Sequence, residues 1–421
     1  MLVNFTVRNY RSFKQERSFC MEASSIKENK DSVIRLGKNS LLPLAVLYGA
    51  NSGGKSNLIK AIATMRGMVR RSIRLNDGDD LPYDPFALDE VSETLPTLFE
   101  VQFVYQGVLY RYGFEYNRTE IVSEWLYEKK AGEKEYELFV RSRDLIEIKA
   151  TRFPEGDGKQ NLTNSNRLFL SLVAQLKGEK SNSVMEWFRR CNVISGLDSE
   201  GYEGFTIKMF LEHGAGADEA QRFFNSLQLG FNQLSVKEVD IPQEVLDKAP
   251  DSIKSQLEKD SDSNHFVETY TVHSVYDDRG GVVGERYFLK NRMESEGTKK
   301  VIELSGPLFD TLNNGKVLFV DELDAKLHPL LTRNIVLLFM DPQINVHGAQ
   351  LVFATHDTNL LDLDIVRRDQ IWFAEKDQMD STDLYSLVEF RDEEGKKIRN
   401  DRDIMHDYIR GRYGAIPFIG N

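Results

Sequence analysis

One stretch limits what this chain can fold into: Leu44-Ala-Val-Leu-Tyr-Gly-Ala-Asn-Ser-Gly-Gly-Lys-Ser-Asn57. Its apolar start, Leu44 to Leu47, reads as a buried strand. It then turns through Gly49, Asn51, Gly53, Gly54, Lys55 and Ser56, which fits G-x-x-x-x-G-K-[ST], the phosphate-binding loop. An apolar repeat of helical period follows at once: Leu58, Ile59, Ala61, Ile62, Met65, Met68 and Val69. Glycines let successive N–H groups converge on one anion, and the start of the helix adds partial positive charge. Lys55 is placed to reach the β- and γ-phosphates, and Ser56 to ligate Mg²⁺. A glycine-rich turn could match by chance, but the flanking strand and helix argue against it.

The length of 421 residues suggests two or three domain-sized units, or one large domain with an insertion. With 41% hydrophobic and 29% charged residues, the composition is that of a soluble globular protein. A net charge of −12 weighs against bulk electrostatic binding to nucleic acid, though a local basic patch is allowed. No apolar run approaches the roughly 18–20 residues of a membrane span, and no secretory leader is visible. Cys20 and Cys191 alone make neither a disulfide framework nor a metal site, so a cytoplasmic location is expected.

Along the chain, residues 1–23 fit two strands around Asn9-Tyr10-Arg11-Ser12, and residues 24–40 read as loop. Phe99–Tyr105 and Val108–Phe114, split by Gln106-Gly107, predict a hairpin that Ile121–Glu128 and Tyr136–Val140 continue. Leu168–Leu176, Val184–Phe188 and Asp218–Leu229 read as helices. Residues 240–265 are charged and polar, with Pro242 and Pro250, and predict a mobile segment. Phe266–Tyr276 and Val282–Leu289 read as a further hairpin. Lys60, Arg66, Arg70, Arg71 and Arg74 are read either as a solvated helix face or as a basic surface.

A second strand, Lys316-Val-Leu-Phe-Val-Asp-Glu322, runs four apolar residues into two carboxylates, the Walker B pattern. Asp321 would hold Mg²⁺, and Glu322 would orient and deprotonate water. A third apolar strand, Leu351–Thr355, ends at His356 after a predicted helix, Leu330–Met340. That order suggests a histidine contacting the γ-phosphate. Ahead of the Walker B strand, Ser295 and Gly297 precede a predicted helix, Lys299–Leu312, that Pro307 is expected to kink or interrupt. Ser295 allows two readings: a simple helix cap, or part of a motif presenting donors to a phosphate.

With these residues in order, the chain resembles the ABC-type ATPases of the SMC/RecF/OLD group. Gly49–Ser56, Ser295 with Gly297, Val320–Pro329 and Thr355-His356-Asp357 carry the likeness. More narrowly it is similar to the RloA/AbiL-type ATPases of bacterial anti-phage defence. The resemblance implies an α/β fold: an ABC-ATPase-like P-loop head with an antiparallel β lobe and an inserted helical lobe. The head would comprise residues 1–115 and 291–421, and the inserted lobe residues 116–290. It also implies bound ATP and Mg²⁺, with Arg11 near the adenine and α-phosphate and Asn57 completing the loop's nucleotide contacts. Asp324 would lie at the seam of a head-to-tail homodimer whose sites are composite. Two features depart from the pattern: the signature is Ser-Glu-Gly, and no glutamine lies in Tyr83–Leu88, where a lobe contact is expected.

The expected function is an ATP-driven dimer acting as sensor or regulator beside a separate effector, a Toprim-type nuclease being the common one. The alternative is a DNA-repair or DNA-organising ATPase, with nucleic acid as a candidate partner; no membrane is expected. A self-contained nuclease is rejected, because residues 358–421 are too few for a separate domain. Asp362, Asp364, Asp380 and Asp383 there read as loop charges.

Overall fold

The computed structural model describes every residue except 38, 200, 241–264, 393–394, 396–397, 400–401 and 417–421. The segment 240–265 expected to be mobile therefore lies almost wholly outside the described residues. The chain forms two compact units. The first comprises Met1–Leu197, Asn314–Ala325 and Thr332–Asn421; the second comprises Asp198–Asn313 and Lys326–Leu331.

In the first unit a six-stranded sheet runs Cys191–Ser195, Val317–Asp321, Gln350–Ala354, Leu44–Tyr48, Ile371–Lys376, Thr382–Ser386. The first five strands are parallel, and Thr382–Ser386 returns antiparallel. Leu44–Tyr48 and Gln350–Ala354 are buried at every position, as strands covered on both faces must be. Register sets the ends level. Val320 pairs with Phe353 and Phe353 with Val46, so the Walker B carboxylates, His356 and the phosphate loop all leave the sheet at one end. Ligands of parallel sheets sit outside the carboxyl ends of the strands.

The helix Lys55–Arg71 buries the apolar set read from its sequence, from Leu58 to Val69. Those side chains share one core with Phe5, Phe99, Tyr112 and Phe114 of a seven-stranded antiparallel sheet. That sheet holds the predicted hairpin as Thr97–Tyr105 and Val108–Tyr116. It inserts the N-terminal strand Leu2–Arg8 between Thr97–Tyr105 and Arg17–Cys20. Helices Phe169–Gln175 and Glu179–Arg189 complete the unit.

Two readings differ from the structure. Residues 24–40 are not all loop: Ile34–Leu36 and Asn39–Leu41 form a short hairpin. The strand Cys191–Ser195 falls where no element is read from the sequence. The compact units also divide the chain differently from the expected boundary at 115/116. Val108–Tyr116 is paired along its length with Ile121–Lys129, so no boundary can fall between them, and residues 116–197 stay with the first unit.

The second unit has helices Glu203–Leu211, Ala217–Leu227 and Glu296–Asn314, and a three-stranded sheet of Gln233–Asp240, His265–Tyr276 and Val282–Leu289. Lys290 is buried between Glu203 and Glu303, at 2.7 and 2.9 Å. Pro307 does not interrupt its helix, which runs from Glu296 to Asn314. Proline lacks the N–H that would bond the carbonyl four residues back, at Glu303. Thr206 supplies the donor instead: its Oγ1 donates to the Glu303 carbonyl at 2.6 Å and accepts from Gly306 N–H at 3.2 Å. Glycine at 306 admits it, since a Cβ there would lie 2.3 Å from Thr206 Oγ1.

Thr206→Val should leave the Glu303 carbonyl buried without a donor and destabilise the second unit by about 1–3 kcal/mol. Urea denaturation should show this as an earlier unfolding transition. A variant as stable as the parent would refute this role of Thr206.

Candidate nucleotide site

The phosphate loop joins a fully buried strand to the helix Lys55–Arg71, and Gly54 caps that helix with φ of 117°, a conformation side-chain-bearing residues avoid. The loop is packed as well as curled. A Cβ on Gly54 would lie 2.3 Å from Thr382 Oγ1, and one on Gly53 would lie 2.6 Å from the Ala374 carbonyl. Two of its glycines are therefore needed for contact with the neighbouring hairpin as well as for conformation. Asn51 stands exposed at the loop tip.

Lys55 is 6% exposed and donates from Nζ to the carbonyls of Gly49 (2.8 Å) and Ala50 (3.2 Å). Burial holds its ammonium below the usual lysine range, while the carboxylates of Asp321, Glu322 and Asp324 pull the other way. Ser56 Oγ donates to Asp321 Oδ1 at 2.9 Å, across 265 residues of sequence. A hydroxyl and a carboxylate at that spacing are the hard oxygen donors Mg²⁺ prefers, and an octahedral ion held through one or two such groups keeps its remaining places for water and phosphate. Among the described residues no group of three or more His, Cys, Asp or Glu could hold a metal ion.

Glu322 follows Asp321 in the left-handed region, φ 57°, half-buried. Asp324 turns back on the segment that follows the strand Gln350–Ala354: its Oδ2 accepts from the backbone N–H of His356 at 3.2 Å. The His356 side chain is exposed at the same end of the sheet. Tyr48 Oη donates to the Asp357 carbonyl at 2.9 Å and ties the end of the phosphate-loop strand to that segment.

Asn57, next along the helix, donates from Nδ2 to Ser12 Oγ at 2.8 Å. Arg11, with φ of 50°, donates its backbone N–H to the Asp84 carbonyl and pairs its Nε with Asp84 Oδ2 at 2.7 Å. Ser295 and Gly297 belong to the second unit. There Ser295 Oγ accepts from Thr298 N–H at 3.1 Å, the cap read from sequence.

Sequence reasoning missed the residues behind the loop. Thr382 Oγ1 lies 2.9 Å from the Gly53 carbonyl and 2.8 Å from Ser12 Oγ, and Thr382 N–H donates to the Ser12 carbonyl at 2.7 Å. Ser12 thus joins the N-terminal turn to the C-terminal hairpin and, through Asn57, to the loop's helix. No motif marks Thr382; only its place in the fold does.

Residues 44–362 match the family model described as "AAA domain, putative AbiEii toxin, Type IV TA system". No curated protein sequence matches the chain. Among solved structures the chain is similar to an Smc head bound to the C-winged helix domain of ScpA, with 13% identity, 91% of this chain and 97% of that one covered, and a TM-score of 0.44. It is similar to the SMC head domain from Thermotoga maritima at 10% identity, 91% and 98% coverage, TM-score 0.41. A third is the recombination mediator protein RecF in its RecF-ATPrS structure, at 14% identity, 88% and 97% coverage, TM-score 0.28.

Thr382→Val should loosen the loop from behind without touching nucleotide. We expect ATP affinity to fall by about tenfold, or ~1.4 kcal/mol. Titration with a fluorescent ATP analogue measures it, and unchanged affinity would show the brace to be dispensable.

Proposed function

The chain belongs to this family of AAA domains, and from that premise we propose that it is an ABC-type ATPase of the SMC/RecF group that binds Mg²⁺-ATP and hydrolyses it. The observation that carries the proposal is the Ser56 Oγ–Asp321 Oδ1 contact at 2.9 Å. It joins the phosphate loop to the Walker B strand through the two groups suited to one Mg²⁺ ion. In this reading Gly49, Asn51, Gly53, Gly54 and Lys55 hold the phosphates. Glu322 is the general base, and His356 senses the γ-phosphate. Mg²⁺ supplies charge neutralisation of the phosphates when bound.

The proposal extends to assembly. Ser295, Gly297 and Asp324 act across a head-to-tail homodimer, each copy completing the other's site. Binding of ATP closes the pair and hydrolysis releases it. Such a switch suits a cytoplasmic sensor or regulator in anti-phage defence, with its output in a separate effector such as a Toprim-type nuclease. No described helix is long and apolar enough to cross a membrane.

A DNA-organising role draws on Arg70, Arg71 and Arg74, which are exposed at the end of the phosphate-loop helix. Arg66 contributes little to that surface, since its Nε donates to the Phe188 carbonyl at 3.2 Å. Duplex binding that weakens steeply with salt would favour this second reading.

Glu322→Gln keeps the shape of the base and removes its basicity. Turnover should fall by about 10²–10⁴-fold while ATP binding persists, and dimers should accumulate on size exclusion with Mg²⁺-ATP. Chelating Mg²⁺ should abolish turnover in the parent protein. Full turnover by the variant would sink the assignment of the base, and turnover surviving chelation would sink that of the metal.

A further inference from the structure

The Walker B turn is clamped by a residue outside every motif. Glu322 stands at φ 57°, which a residue bearing a side chain adopts only when its surroundings hold it there. On one side Leu323 N–H donates to the Ala354 carbonyl at 3.1 Å, and Ala325 N–H closes onto the Glu322 carbonyl at 3.2 Å. On the other side stands Gly196, buried, at the end of the edge strand Cys191–Ser195. Its N–H donates to the Asp321 carbonyl at 2.6 Å. A Cβ built on Gly196 would lie 1.8 Å from the Glu322 carbonyl oxygen, 2.5 Å from its carbon and 2.7 Å from the Asp321 oxygen. All three are backbone atoms, so no side chain fits unless the peptides around Glu322 move.

We infer that Gly196 is a positioning residue for Glu322: its backbone fixes the peptides that aim the carboxylate, and it acts on hydrolysis and not on nucleotide binding. The inference rests on the assignment of Glu322 as general base. Lys55 and the phosphate loop belong to the turn and helix after the strand Leu44–Tyr48, two strands removed from Val317–Asp321, whereas the three atoms nearest a Cβ at 196 all belong to the backbone of Asp321 and Glu322. The chain passes from the first unit to the second between Leu197 and Asp198, and again between Ala325 and Lys326. Both passages lie within a few residues of the clamp.

The test compares Gly196→Ala with Gly204→Ala in the full chain; a Cβ at Gly204 meets open space. In Gly196→Ala we expect affinity for a fluorescent ATP analogue within about threefold of the parent and kcat lower by about a hundredfold, as for a base displaced by about an ångström. Gly204→Ala should change neither. Unchanged kcat in Gly196→Ala overturns the inference, and so does a parallel loss of affinity and kcat, which a general structural defect would give. Hydrogen exchange on the unsubstituted protein tests the same point should the variant not fold. With Mg²⁺ and ATPγS, peptides carrying Gly196 and residues 321–325 should gain protection together, and protection confined to 321–325 overturns the inference. No turnover in the parent protein would instead refute the ATPase assignment and the inference with it.

Discussion

Parallel register across three strands is the constraint on which the candidate site depends. Val46, Phe353 and Val320 stand in one row of the sheet, so the segments that follow them leave at one level. That alignment brings Ser56 within hydrogen-bond distance of Asp321. It also sets His356 beside the Walker B turn, where Asp324 holds its backbone. A parallel sheet buried on both faces tolerates little slippage, because moving one strand by one residue would turn its apolar side chains to the wrong face. The chemistry is thus pinned by hydrophobic packing some distance from any phosphate.

The loop itself is held from two directions. From the front, Lys55 satisfies the loop's own carbonyls. From behind, Thr382, Ser12 and Asn57 form a hydrogen-bonded brace that joins both ends of the chain to the loop's helix. A phosphate site works by presenting donors already in position, which lowers the cost of reorganisation when charge arrives. The brace and the close approach of Ala374 to Gly53 supply that rigidity.

Much of the site was legible because its parts are contiguous. Strand, glycines, lysine and serine lie in one run, and the Walker B strand carries its carboxylates directly behind four apolar residues. The rest was not legible for physical reasons. Cys191–Ser195 is a short edge strand following a helix, with Asn192 and Ser195 breaking any apolar run. Thr382 and Ser12 meet across 370 residues with no local pattern to announce them. Asn57 follows Ser56, but one step along a helix turns a side chain by about 100°, and its amide meets Ser12, whose place beside the loop's helix no local pattern marks. Pro307 obeys the local rule for a helix breaker until Thr206, about a hundred residues earlier, supplies the missing donor.

The brace at Thr382 also fixes when in the life of a chain the site can exist. During synthesis the phosphate loop emerges early, yet its flanking strands, Gln350–Ala354 and Ile371–Lys376, and its brace at residue 382 come more than 300 residues later. Pairings of such long range are slow to form and leave apolar strands unpaired meanwhile. The buried run Leu44–Tyr48 therefore gains both of its neighbouring strands late, and the phosphate loop takes its braced form only as the first unit closes.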